Sequence, residues 1–489
     1  MIHRFYSSAM VLAVAALLLF APFNVTAQGN QADVQPEISF TVSMSKPYTH
    51  LLEVEMRLRR AAQLPSEINL IMPVWTPGSY LIREFERNVQ DFAAMDASGG
   101  RALLWQKTNK DTWRVETAGA RDLRITYRVY ANELTVRTND LNDHHAFWNN
   151  AALLMYPDGY LKAPSTLTVV PFNDWRVATG LPPVEGRPNT FRAENFDILY
   201  DSPFEVSRFK VVSFEVRGVP HRIVIDGEGN YDLERMRRDV QRVVEAEVAM
   251  MGEIPYHDYT FILHSTNMGG GGLEHLNSTS LMMERNRFYS DSDWKGFLGL
   301  VSHEFFHLWN VKRIRPDALG PFDYTKENYT KLLWVAEGIT DYYSGLLLRR
   351  AGLISEEDYL RRVAGNIQSL QATPGRLLMS AEEASFNSWI KEYRPDENSI
   401  NSQISYYTKG ALLGLLLDLE IRKLSKGAKS LDDVMRYLYT EFYKKNRNYT
   451  PEDFQKTCEL MARSSLDRLR SGLEHRRPDS CARRPARQS

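Results

Sequence analysis

The stretch His303-Glu304-Phe305-Phe306-His307 decides how this chain is read. It spells H-E-x-x-H inside a segment whose apolar residues, Phe297, Leu298, Val301, Phe305 and Leu308, recur at helical spacing. Residues four apart lie on one side of a helix, so His303 and His307 can offer two imidazoles to a single metal ion. Glu304 stands one step round, within reach of a water on that ion. The pattern is that of a zinc hydrolase site. Asp291, Ser292 and Asp293 offer helix caps upstream, and Pro316 stops any continuation. The plain alternative is an amphipathic core helix with polar residues on its rim.

Two imidazoles do not complete a catalytic zinc site, which takes three protein ligands and keeps one position open. The next strong helix is expected from Tyr329 to Arg350, capped by Asn328 and closed before Gly352. Within it, Glu337 lies in an apolar run where an unpaired carboxylate is costly and a cation would neutralise it. Asp341, one turn on, can accept the outer N–H of a ligating histidine. Gly338 weakens a helix interior, so it is expected to serve close packing near the site. An ordinary surface pair on an ordinary helix is the competing reading of Glu337 and Asp341.

Outward from these helices, the chain of 489 residues is long enough for more than one domain, and 43% apolar content supports large cores. With a net charge of −1, nothing in the composition points to nucleic acid. His3 and Arg4 precede an apolar run from Ala9 to Phe20 that is short for a membrane span, and Val25-Thr26-Ala27 suits cleavage. Residues 1–27 therefore read as a signal peptide, and the protein as exported, periplasmic or secreted, with no stable membrane span once the signal is removed. Of two cysteines, Cys458 and Cys481, neither suggests a metal site.

Residues 28–220 read as an all-β domain. Ile38, Phe40, Val42 and Met44 alternate, as do Leu52, Val54, Met56 and Leu58, and Leu123, Ile125, Tyr127 and Val129. Trp75, Trp105, Trp113 and Trp148 are expected in its core. Residues 221–462 begin with a charged amphipathic helix, Tyr231 to Met251, closed by Gly252, then a short strand, then mostly helices. The order is α+β: an N-terminal all-β domain followed by a mainly helical one. Residues 463–489 are Arg-rich and expected to be disordered.

Two further segments complete a hypothetical cleft. Gly269 to Gly272, followed by Leu273-Glu274-His275, places glycines where a substrate backbone can approach, and a peptide can add there as an extra strand. Gly270, Gly271 and Gly272 are then substrate-contacting, and Glu274 can pair with a free α-ammonium group. A mobile glycine loop is the simpler possibility. A hydroxyl to hold an oxyanion is offered by Tyr407, in Ser405-Tyr406-Tyr407-Thr408-Lys409-Gly410, at the start of another helix.

Taken together, Met72 to Tyr80, Gly269 to His275, His303 to Pro316, Leu333 to Tyr343 and Tyr407 to Gly410 resemble the PDZ-containing glycyl aminopeptidases, gluzincin metallopeptidases. The resemblance implies that His303, His307 and Glu337 hold one zinc ion and that Glu304 is the general base. It implies that Glu274 holds the substrate amine, and it favours Tyr407 over Tyr406 as the oxyanion donor. It further implies a thermolysin-like catalytic domain, peptide substrates with N-terminal Gly or Ala, and a C-terminal PDZ domain. At that last place this chain carries its Arg-rich segment instead. A zinc endopeptidase, or an inactive zinc-containing binding protein, remains the alternative, although a purely structural site needs no Glu304.

Overall fold

Alternating apolar residues build the first half of the chain into sheets. The computed structural model describes residues 36–60 and 63–466. Strand Glu37–Ser43 runs antiparallel to Leu51–Arg59 and parallel to Ser165–Val170. Phe40 thereby stands opposite both Met56 and Leu167. Asp122–Tyr130 adds on the far side with Val54 opposite Tyr127, and the sheet reaches seven strands. Every second residue of these strands is buried, as a half-buried sheet requires. Two four-stranded sheets cover the buried face, and one apolar core joins them. Trp75, Trp113 and Trp148 are buried, but Trp105 departs from expectation: it is 43% exposed. Its strand Trp105–Asn109 is the outer one of its sheet, so its ring lies on the surface against Phe92.

A second sheet follows, of five strands in the spatial order Lys210–Val216, Val219–Asp226, Tyr259–Thr266, Ser278–Glu284, Gly271–Glu274. The three middle strands are parallel and the last is an antiparallel edge. Helix Leu233–Met251 is capped by Asp232 and closed by Gly252, which takes a left-handed φ of 98°. It lays Val240, Val243, Val244 and Val248 into a second core shared with Phe261, Phe305 and Val301. Helices dominate from Asp291 to Ala462. The architecture is thus α+β, sheets first and helices after.

Three local expectations are corrected. The histidine helix is Asp291–Phe306, and its cap is Ser290, whose hydroxyl accepts from the Asp293 N–H; Asp291 and Asp293 fill the first turn. That helix ends long before Pro316. The second helix does not begin at Tyr329. Asn328 instead braces a loop, donating to the Asp323 carbonyl at 2.8 Å and accepting from its N–H at 2.9 Å. The helical path starts at Trp334 with a wide π turn, Trp334–Gly338, and becomes α-helical over Ile339–Arg350.

The segment Val74 to Tyr80, although early in the chain, belongs to the second core. Trp75 is fully buried there, donates its indole N–H to the Asp323 carbonyl at 2.8 Å, and packs edge-on against Trp389. Among the described residues no helix is long and apolar enough to cross a membrane. The expected signal peptide, the end of the chain beyond residue 466 and Cys481 lie outside the described residues. Cys458 is buried, and burial pushes its thiol well up.

Candidate metal centre and cleft

Helical spacing brings His303 and His307 to one side, as the motif demands, and their Nε2 atoms stand 3.0 Å apart. The π turn carries Glu337 to them: its Oε2 lies 3.4 Å from His303 Nε2 and 3.1 Å from His307 Nε2. A tetrahedral ion with bonds of about 2.0–2.1 Å sets its ligand atoms about 3.3 Å apart, so these three donors fit a zinc-sized ion.

The protonation pattern gives the same answer. The main-chain carbonyl of Asn310 accepts from His307 Nδ1 at 2.7 Å. A carbonyl cannot donate, so Nδ1 carries the proton and, in the neutral ring, Nε2 turns a lone pair toward the Glu337 carboxylate. Two acceptors 3.1 Å apart in a buried site need a cation or a proton between them. Burial opposes charge on His307, yet Glu337 and Glu274 lift its pKa to about 10. Burial likewise opposes charge on Glu337, but His307 and His303 bring it down to about 2. The pocket calls for positive charge, as a divalent cation supplies.

Glu304 points into the same cleft. Burial raises its pKa to about 7, against the pull of His303 and His307, and a carboxylate near that value suits proton transfer at neutral pH. Its methylene and carboxyl lie on Gly272 of the edge strand: a Cβ there would sit 2.3 Å from Glu304 Cγ and Cδ. Only glycine lets the strand come this near. Glu274, at the other end of the strand, is buried, and its Oε1 has no hydrogen-bond partner. Lys312 Nζ is 4.0 Å from that oxygen and is engaged instead by Asp201 at 2.7 Å. Ligand atoms of Glu274, Glu304 and His307 all lie within 4.8 Å of one another.

Tyr407 lines the same cavity of about 340 Å³, together with Gly271, Gly272, Glu274, Asp341 and Arg137. Its ring centre is 6.1 Å from that of His303, and its hydroxyl is 3.0 Å from the Tyr393 hydroxyl. Burial first, then Glu337, keeps the Tyr407 phenol protonated far above neutral pH, so it remains a donor. Tyr406 is fully buried. Gly270 is the outer neighbour of the edge strand, clear of any close contact. Asp341 does not hydrogen-bond to a histidine. Its Oδ1 is 4.0 Å from His303 Nδ1, whereas Arg362 donates to it at 2.7 Å. The outer N–H actually fixed is that of His307, and Asn310 fixes it.

Asn310 is not legible in the sequence, where it follows the motif by three places with no pattern of its own. Its buried side-chain amide donates to the carbonyls of Val335 and Ala336, at 2.9 and 3.2 Å, and lies 3.0 Å from Thr340 Oγ1. One side chain thus ties two carbonyls of the π turn to the end of the histidine helix, and the Ala336 carbonyl also accepts from Thr340 Oγ1 at 2.7 Å. Gly338 has the packing role expected of it. A Cβ there would stand 2.4 Å from Gly410 Cα, and one on Gly410 would stand 2.6 Å from the Trp334 carbonyl oxygen. The Tyr407 helix, Tyr406–Leu424, therefore crosses the π turn with backbones nearly touching.

Residues 39–208 match the Peptidase M61 N-terminal domain, and residues 296–413 match M61 glycyl aminopeptidase. A crystal structure of an aminopeptidase N family protein from Idiomarina loihiensis is similar over 90% of this chain and 76% of that one, with 32% identity and a TM-score of 0.86. An M1 zinc metallopeptidase from Deinococcus radiodurans shares the fold at 16% identity, covering 90% of this chain and 94% of that one, with a TM-score of 0.55. Yeast LTA4 hydrolase in complex with bestatin does so at 14% identity, covering 89% of this chain and 67% of that one, with a TM-score of 0.54. No curated protein sequence matches. On its two matched segments and its likeness to the Idiomarina protein, this chain belongs to the M61 glycyl aminopeptidase family and is a zinc metallopeptidase.

Proposed function

We propose that this protein is an exported aminopeptidase that releases N-terminal Gly or Ala from peptides. The observation that carries the aminopeptidase reading is the buried, unpartnered Oε1 of Glu274 beside Glu304 and His307. A buried acceptor with no donor is costly, and a substrate α-ammonium group is the donor that would complete it. Charge supports this. Glu274, Glu304 and Glu337 face two imidazoles in one cavity, a cluster of carboxylates that a divalent cation and one ammonium would both answer. Export rests on the basic, apolar start of the chain, and Gly or Ala on family membership.

His303, His307 and Glu337 would hold the zinc ion, which supplies polarisation of the scissile carbonyl and a water of pKa near 7. The substrate backbone pairs with the edge strand at Gly270, Gly271 and Gly272, placing its amine at Glu274. Glu304 takes the proton of the attacking water and returns it to the leaving amine. Tyr407 donates to the developing oxyanion.

Hydrolysis of Gly- and Ala-anilides, and of matched peptides with free and acetylated N-termini, tests the reading. Cleavage of free substrates only is the expected result. Equal cleavage of acetylated peptides would remove Glu274 as the amine anchor and make the protein an endopeptidase.

A further inference from the structure

A second set of metal-ligand donors lies where the sheet of residues 140–148, 176–179 and 204–207 meets the five-stranded sheet. His145 and Glu205 come from the first, on strands paired in register, while His264 comes from the second. All three are buried, at 3%, 0% and 1% exposure. Asp226 stands in register beside His264 on the adjoining strand.

The hydrogen positions limit what this cluster can be. His145 Nε2 is 3.0 Å from Asp140 Oδ2, which can only accept, so Nε2 carries a proton. That is the outer contact that orients a ligating imidazole. His145 Nδ1 then faces two more acceptors, Glu205 Oε2 at 3.4 Å and Asp226 Oδ2 at 3.5 Å. His264 Nε2 approaches the same Glu205 oxygen at 3.0 Å. Glu205 Oε1 and His264 Nδ1 are buried with no partner. Asp140, Glu205 and Asp226 thus stand around the two imidazoles. Glu205 Oε2 stands 3.4 Å from His145 Nδ1 and 3.0 Å from His264 Nε2, near the tetrahedral edge of about 3.3 Å, and the ligand atoms of all three residues lie within 4.8 Å of one another. His145 and Asp226 also line a cavity of about 630 Å³, which gives an ion a way in.

We propose that His145, Glu205 and His264 bind a second divalent ion, of the zinc type, and that this ion clamps the N-terminal sheets to the peptidase sheet. Two imidazoles with carboxylate suit a borderline transition metal rather than calcium or magnesium. Among the described residues no water-activating glutamate corresponding to Glu304 accompanies it, so its role is structural.

Elemental analysis of the full-length protein, equilibrated with buffered zinc and then desalted, tests this. Wild type should hold two zinc ions per chain, Glu337→Ala one, His264→Gln one, and the double variant none. A crystal of Glu337→Ala with data at the zinc edge should place the remaining ion between His145 and His264, and this measurement does not depend on the folding of the His264 variant. Wild type holding a single ion, Glu337→Ala holding none, or a residual ion found elsewhere would overturn the proposal. The cluster would then be a protonated histidine–carboxylate lock. Loss of peptidase activity with two ions retained would instead count against the reading of the first site alone.

Discussion

At the scale of single residues, the cleft is a set of charges held at spacings only particular side chains allow. Glu304→Gln keeps the shape and removes the base, so zinc content should be unchanged while kcat falls roughly a hundredfold or more; near-normal turnover would remove Glu304 from proton transfer. Gly272 has a different constraint. Any side chain there would overlap Glu304, whose Cγ and Cδ are 2.3 Å from the ideal Cβ position. Gly272→Ala should therefore displace the base and the edge strand together, raising KM and lowering kcat with zinc still bound, as measured by steady-state kinetics on Ala-anilide. The types and order of these residues are plain in the sequence: H-E-x-x-H, an apolar-embedded Glu337, a glycine run before Glu274. What the sequence leaves open is which atoms face which. Asp341 has the spacing of an outer partner to a histidine, yet Arg362 takes it at 2.7 Å, while a main-chain carbonyl does that work for His307 at 2.7 Å.

At the scale of elements, the π turn Trp334–Gly338 is what sets Glu337 against the histidines. The Asn310 amide donates to two carbonyls of this turn, those of Val335 and Ala336, and the second also accepts from Thr340 Oγ1. Asn310→Ala should cost about 1–3 kcal/mol by removing the side-chain donor to the buried Val335 carbonyl and weaken zinc binding roughly 10–100-fold, read by denaturant titration and competition with a chelating dye. Behind the histidine helix, His221 stacks on Phe214 and meets Tyr256 edge-on, its Nε2 bonded to the Tyr256 hydroxyl at 2.8 Å. Burial lowers its pKa to about 4. A histidine with a depressed folded pKa contributes stability that is fully present above its unfolded value near 6.5 and is lost as pH falls toward 4. Replacing it by Gln should flatten the acid side of the stability curve between those limits by about 3 kcal/mol, measured as unfolding free energy against pH for both proteins; parallel curves would discharge His221 from this role. Helical and strand periods predict the elements themselves well, because apolar spacing is a local property. The start of the Glu337 helix is misjudged from sequence because Asn328, an apt cap, is used to brace a loop, and a π turn leaves no signature in residue spacing.

At the scale of the whole molecule, the two halves are interleaved: Val74 to Tyr80 departs from the β-rich half and fills the peptidase core. Trp75→Ala should cost about 3–5 kcal/mol and reduce peptidase activity along with stability, although Trp75 is not among the residues lining the cleft; a thermal melt and an activity assay on the same sample check both. Trp75 reads in the sequence only as a core aromatic, and nothing local says which core. The sequence by itself determined the α+β order, the metal-binding residue types and the family, because motif spacing and apolar period are written along the chain. The tertiary structure alone decided the convergence of Glu337 on two imidazoles, the closeness of Gly272 to Glu304, the clamp by Asn310 and the meeting of His145, Glu205 and His264. Each of these joins residues from separate elements, and their distances are set by how buried surfaces pack rather than by any spacing along the chain.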